Sequence, residues 1–123
     1  MKFSEIKEFN KDVKKLTKKY RSIPEDIETV KKVLAVMPDA RPPFSFQIDK
    51  LGITTCVIKV KKIACKALKG KGARSGLRLV YAHFNNSNNE DTKQQEDEIV
   101  MVELYHKAEQ EQYNRERITS NFE

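Results

Sequence analysis

Residues 70–84 read Gly70-Lys71-Gly72-Ala73-Arg74-Ser75-Gly76-Leu77-Arg78-Leu79-Val80-Tyr81-Ala82-His83-Phe84. The character of the chain changes at Gly76. Ahead of it lie glycines and bases; beyond it lie branched and aromatic side chains. Leu77–Phe84 has the composition of a sheet strand. Gly70, Gly72 and Gly76 permit a tight turn and a close approach of ligand or backbone. Arg74 and Arg78 flank the junction, and arginine grips phosphate through two parallel hydrogen bonds. A base-rich turn feeding a central strand is a candidate polyanion site. The plainer alternative is a basic hairpin turn ahead of a core strand.

Working towards the C-terminus, residues 85–97 (NNSNNEDTKQQED) are polar and lack apolar anchors. They read as a flexible hairpin loop. Residues 98–107 (EIVMVELYHK) form a further strand. Strict alternation puts Val100, Val102 and Leu104 on one face and Ile99, Met101, Glu103, Tyr105 and Lys107 on the other. The tail 108–122 is charged and carries only Tyr113, Ile118 and Phe122 as larger apolar groups. It reads as a short helix or as a segment that orders on binding.

Working back from Gly70, residues 55–67 read as a strand. Ile58 and Val60 point one way, Lys59 and Lys61 the other. Ile63 and Cys65 then fall on the lysine parity, so a bulge at Lys61-Lys62 is expected. Phe44, Phe46 and Ile48 alternate with polar residues in a shorter strand that Gly52 breaks. Residues 38–43 are a Pro-rich connector. Before it, two amphipathic helices are expected. The first spans 4–20, with Ser4 as N-cap, a stripe of Ile6, Phe9, Val13, Leu16 and Tyr20, and a lysine face of Lys7, Lys11, Lys14, Lys15, Lys18 and Lys19. The second starts at Ser22, which has capping-box spacing to Glu25, with Pro24 in its first turn. It buries Ile27, Val30, Leu34 and Met37 and ends before Pro38.

The order predicts an α+β domain: an N-terminal antiparallel helical hairpin packed on one face of a small antiparallel β-sheet, with a short C-terminal helix. The other sheet face is expected to stay open and to carry bases. At 123 residues the chain fits a single domain spanning 1–123. Lys plus Arg number 24 against 18 for Asp plus Glu, a formal charge of +6. That excess favours nucleic acid or an acidic protein over a neutral metabolite. There is no apolar run of membrane-spanning length and no signal-peptide core after Met1-Lys2-Phe3-Ser4. Cys56 and Cys65 are too few for a disulfide framework and read as reduced core residues of a cytoplasmic protein. Two Cys and two His, all isolated, do not make a zinc site.

The chain resembles the RelE/ParE toxin superfamily, and more closely its RelE/HigB branch. The resemblance rests on Phe9-Asn10-Lys11-Asp12-Val13-Lys14-Lys15-Leu16, Lys59-Val60-Lys61-Lys62, Gly72-Ala73-Arg74-Ser75-Gly76-Leu77-Arg78-Leu79-Val80-Tyr81 and Glu103-Leu104-Tyr105-His106-Lys107. The block Ser75-Gly76-x-Arg78-x-Val80-Tyr81 is the most specific. The family's short N-terminal strand has at most Met1–Phe3 to represent it, and the insert 85–97 exceeds the family's usual turn. The resemblance implies the toxin of a toxin–antitoxin pair, a ribosome-dependent endoribonuclease that cuts translated mRNA through in-line attack of the 2′-hydroxyl. It implies a cognate antitoxin, the ribosome and mRNA as partners, no membrane, and neither metal nor cofactor.

On that resemblance Arg78 holds the scissile phosphate, and Lys107 stabilises the transition state or protonates the leaving group. Tyr113 serves as a catalytic or base-stacking group. Arg74 adds a phosphate contact. Lys69 and Lys71 match the family's lysine pair if no gap intervenes; otherwise Lys59, Lys61 and Lys62 take that role. His106 is either a general acid or base or a half-buried histidine, and Glu103 either a base or a neutralising carboxylate. His83, leading into the polar loop, carries little weight. Two further readings stand beside the nuclease: a ParE-like gyrase inhibitor acting by binding, and an inactive binding module of the same fold.

Overall fold

The computed structural model describes residues 1–85 and 96–123, so most of the expected loop 85–97 lies outside the described residues. The elements run β1 (Lys2–Glu5), α1 (Lys7–Lys19), α2 (Ile23–Val36), β2 (Ser45–Gln47), β3 (Cys56–Val60), β4 (Leu77–Phe84), β5 (Glu98–His106) and α3 (Arg115–Phe122). The architecture is α+β, with three helices on a five-stranded mixed sheet of order β1-β5-β4-β3-β2. β2 to β5 form the expected antiparallel meander, but β1 pairs parallel with β5, from Lys2 opposite Glu98 to Glu5 opposite Met101. Among the described residues no helix is long and apolar enough to cross a membrane.

The helical hairpin covers one sheet face. Phe9, Leu16 and Tyr20 of the first helical segment and Ile23, Ile27, Val30 and Leu34 of α2 are buried against Ile58, Val60, Leu77, Leu79, Tyr81, Ile99 and Met101. The 3–4 spacing of these residues builds the stripe, and the lysines between them stay outside. β4 is buried on both faces, since Val80 and Ala82 belong to the cluster on the far side. That is why Leu77–Phe84 reads as nearly continuous apolar sequence.

Several expectations need correction. Ser4 belongs to β1 and does not cap α1, whose N-cap Ile6 makes no side-chain cap bond. The N-terminal strand is therefore longer than Met1–Phe3 and displaces the helix start to Lys7. The Ser22–Glu25 capping box does not form. The Ser22 hydroxyl instead donates to Asp26 Oδ2 at 2.7 Å and accepts from the Ala67 amide at 2.8 Å, while Glu25 pairs with Lys66. The 55–67 strand is limited to Cys56–Val60. The chain leaves the sheet at Lys61, and Ile63 and Cys65 reach the core from the following loop, not through a bulge.

A bulge does occur, in β5. Val80 faces Glu103 while Tyr81 faces Met101, so Val102 is the extra residue. The parity of β5 changes there: Ile99, Met101 and Leu104 join the helix-side core, while Val102 and Tyr105 join the opposite cluster. Strict alternation had grouped Leu104 with Val100 and Val102. Finally, the second sheet face is not left open. Ile118 and Phe122 of α3 pack with Leu51, Val57, Val80, Ala82 and Val102, covering that face over β4 and β5. What stays accessible is its end, around Phe46, Lys59, Arg78 and Lys107.

Candidate nucleic-acid interface

The loop between β3 and β4 builds one wall of this end. It is fixed at several points. Ser22 and Asp26 of the α2 start bind the Ala67 and Lys66 amides. The buried Ser75 hydroxyl donates to the Ile63 carbonyl at 2.5 Å and accepts from the Leu77 amide at 3.1 Å. The Lys107 amide donates to the Gly76 carbonyl at 2.9 Å. Gly76 has φ +88°, and a Cβ there would lie 2.8 Å from His106 Nε2. Both the backbone conformation and the space at this turn therefore require glycine.

The fixed turn, the segment just after β3, the start of β4 and the residue after β5 enclose a cleft of about 380 Å³ lined by Lys61, Lys62, Arg74, Arg78 and Lys107 over Pro43 and Phe46. Among the described residues its lining contains five cations and no carboxylate, and none of the five forms an ion pair. Arg78 is aimed by its own Nη1, which donates to the Lys61 and Leu77 carbonyls, each at 3.1 Å. Those bonds occupy one amino nitrogen and fix the plane of the fork, a geometry suited to a bidentate oxyanion.

A second cleft of about 290 Å³ adjoins the first and shares Phe46 and Lys61 with it; Lys59, Tyr113, Gln47 and Asp49 complete its polar lining. The Lys61 ammonium lies 4.9 Å from the Phe46 ring centre, and that of Lys59 lies 5.6 Å from the ring centre of Tyr113. Burial, then the neighbouring charges of Lys61 and Arg78, push the Lys59 ammonium below the ordinary lysine range. Burial, with the Glu103 carboxylate beside it, pushes the Tyr105 phenol up to about 12, so it stays protonated at neutral pH.

The structure thus brings Arg74, Arg78, Lys107, Lys61 and Lys62 around one cleft, with Lys59 and Tyr113 in the next. Lys69 lies apart, beside Cys65 and Leu68 in a separate depression, and Lys71 lines neither cleft. Lys61 and Lys62, and not Lys69 or Lys71, share the cleft of Arg78.

His106 lies on the helix side, stacked 5.6 Å from the Tyr20 ring. Its Nε2 meets the Ser75 carbonyl at 2.8 Å and its Nδ1 accepts from the Ala108 amide at 3.1 Å. A carbonyl only accepts and an amide only donates, so this pairing uses Nε2 as the donor and Nδ1 as the acceptor. Both nitrogens are thus committed to holding the turn. Glu103 is buried, accepting from Gln110 Nε2 at 2.8 Å and from the Asn114 amide at 2.7 Å. It holds the segment that carries Tyr113. His83 pairs with Asp97 at 3.1 Å, beside the described start of β5.

Sequence reasoning did not single out Phe46 or Asp49 as site residues. Phe46 was visible as an apolar strand position, but its partner Lys59 across β2 and β3 follows from register alone. Comparisons with protein-family models, curated proteins and solved structures return no match.

Proposed function

We propose that this chain binds RNA along the two clefts and cleaves it, acting in the cytoplasm as an endoribonuclease of the RelE type on translated mRNA and held in check by a protein partner. The observation that carries the reading is the set of five cations, Lys61, Lys62, Arg74, Arg78 and Lys107, around one cleft that no carboxylate lines among the described residues. Clustered like charges repel and cost stability, so an unbalanced cluster favours a polyanionic ligand. The helical hairpin on a small sheet and the placement of the Ser75-Gly76-x-Arg78 block at the cleft wall support the resemblance seen in the sequence.

The chemistry asked of the site is modest. The 2′-oxygen loses its proton and attacks phosphorus, the bond from phosphorus to the 5′-oxygen breaks, and that oxygen takes up a proton. The products are a 2′,3′-cyclic phosphate and a 5′-hydroxyl. Arg78 grips the non-bridging oxygens, and Lys107, Lys61 and Arg74 stabilise the charge that grows on them. Lys59 and Tyr113 lie where a proton could be taken or a base stacked. His106 is left out of the scheme because both ring nitrogens are committed.

The test is primer extension on translated mRNA after brief induction, with Arg78→Ala alongside. Cuts confined to translated message and absent in the variant support the reading. Growth arrest without cuts moves it to a toxin that acts by binding, such as a gyrase inhibitor. Cuts that persist in Arg78→Ala overturn the site.

A further inference from the structure

The groove formed by the two clefts is not uniformly basic. Among the described residues Asp49 is the only carboxylate that lines either cleft. It forms no ion pair with Lys59 or Lys61, which line the same cleft, and it receives no hydrogen bond from any described residue. The Gln47 side-chain amide, at the same rim, likewise makes no hydrogen bond to any described residue. The backbone beside Asp49 is anchored. The next residue, Lys50, has φ +61°, and its carbonyl accepts from Arg115 Nη2 at 2.6 Å, tying this loop to α3.

A carboxylate beside a phosphate path repels the backbone it faces. It attracts the amino edge of a base, since exocyclic amino groups donate and carboxylates only accept. Phe46 and Tyr113 line the same cleft and offer aromatic faces on which a base can stack. The cleft shares Phe46 and Lys61 with the phosphate cleft, so one nucleotide can place its phosphate in one and its base in the other.

We infer that the cleft of Phe46, Asp49, Lys59 and Tyr113 is a base-reading subsite that selects a nucleobase bearing an exocyclic amino group and disfavours uracil. The inference rests on the RNA-binding reading above. Asp49 accepts from the amino group, and Gln47 supplies the complementary donor or acceptor. Uracil turns a carbonyl oxygen towards Asp49 at the position where cytosine turns its amino group, so the two pyrimidines are a matched pair for the test.

The experiment is fluorescence anisotropy with labelled 2′-O-methyl RNA hexamers, which cannot be cleaved, carrying cytosine or uracil at each position in turn. The expected result is about tenfold tighter binding of cytosine at one position. Asp49→Asn, which can turn its amide to meet either base, should abolish that preference while binding as tightly or more so. Arg78→Ala should weaken every hexamer alike. Equal binding of cytosine and uracil at all positions, or a preference that survives Asp49→Asn, overturns the subsite while Arg78-dependent binding leaves the RNA reading standing. Failure of every hexamer to bind removes both.

Discussion

Asp12 of α1 and Arg117 of α3, 105 residues apart, form an ion pair at 2.6 Å, with side chains 19 % and 17 % exposed. The pair also serves the backbone of β5. Asp12 Oδ2 accepts from the Leu104 amide at 3.1 Å, and Arg117 Nη1 donates to the Val102 carbonyl at 3.1 Å. These are the residues around the bulge, beyond the point where β1 stops pairing at Met101. The two side chains therefore continue the work of β1 where that strand has ended, and they clamp helices from opposite sheet faces onto one strand. Asp12→Ala removes the acceptor of an amide and of a mostly buried guanidinium together. It should cost about 3 kcal/mol of stability, read from urea unfolding. The double variant Asp12→Ala/Arg117→Met should cost less than the sum of the two single changes. Additive losses would show that the pair is not coupled.

Lys59→Met should stabilise the fold by about 1 kcal/mol and weaken RNA binding, a trade expected where a charge is retained for function. The pH dependence has a definite sign. Burial and the charges of Lys61 and Arg78 lower the folded-state pKa of Lys59 below the ordinary 10.5. Below the folded-state value the lysine is charged in both states and its penalty is fully present. As pH rises from that value to 10.5 the unfolded chain holds more protons, so the wild type gains stability. The advantage of Lys59→Met should therefore shrink through this alkaline window. A difference that stays constant with pH would show that the gain comes from packing alone.

Gly76→Ala meets two obstacles at once, a φ of +88° and the His106 ring at 2.8 Å. It should destabilise the domain by about 2 kcal/mol. Pairing it with His106→Ala frees the space but not the backbone, so the double variant should recover only part of the loss. Full recovery would mean that the conformation carries no strain of its own.

Ser22→Ala should cost about 1–2 kcal/mol, since the hydroxyl both donates to Asp26 and accepts from the Ala67 amide. The local consequence is sharper than the global one. Hydrogen exchange at the Lys66 and Ala67 amides should speed up before that of β4 amides. RNA binding should weaken as well, although Ser22 lines neither cleft. Unchanged exchange in the loop would remove Ser22 as its anchor.

Much of this arrangement is legible in the residue order, for identifiable reasons. The stripes at Phe9, Val13, Leu16 and at Ile27, Val30, Leu34 are strong because an amphipathic helix repeats its pattern over several turns. The basic cleft is legible because Gly76, Arg78 and Lys61 sit in short, distinctive blocks. What escaped depended on contacts distant in sequence. The length of β1 is set by pairing with residues 98–101, almost a hundred positions away. The bulge at Val102 is stabilised by Asp12 and Arg117, neither of which is near it in sequence except through the fold. Ser22 has the local pattern of a capping box, yet its hydroxyl is taken by Ala67. Asp49 looks like an ordinary loop acid until the fold sets it in the same cleft as Lys59 and Tyr113.

The strand order β1-β5-β4-β3-β2 puts the last strand made between the first and the fourth. A growing chain cannot assemble such a sheet by adding each strand to the rim of what already exists. Until Glu98–His106 has been synthesised, β1 has no neighbour and β4 has one bare edge. Lys107 and Tyr113 come later still, so both clefts are unfinished until residues 107 and 113 have been made. Translation order thereby builds in a delay. The nascent polypeptide carries its cations as a dispersed set, and they converge only once β5 and the residues after it have joined the sheet.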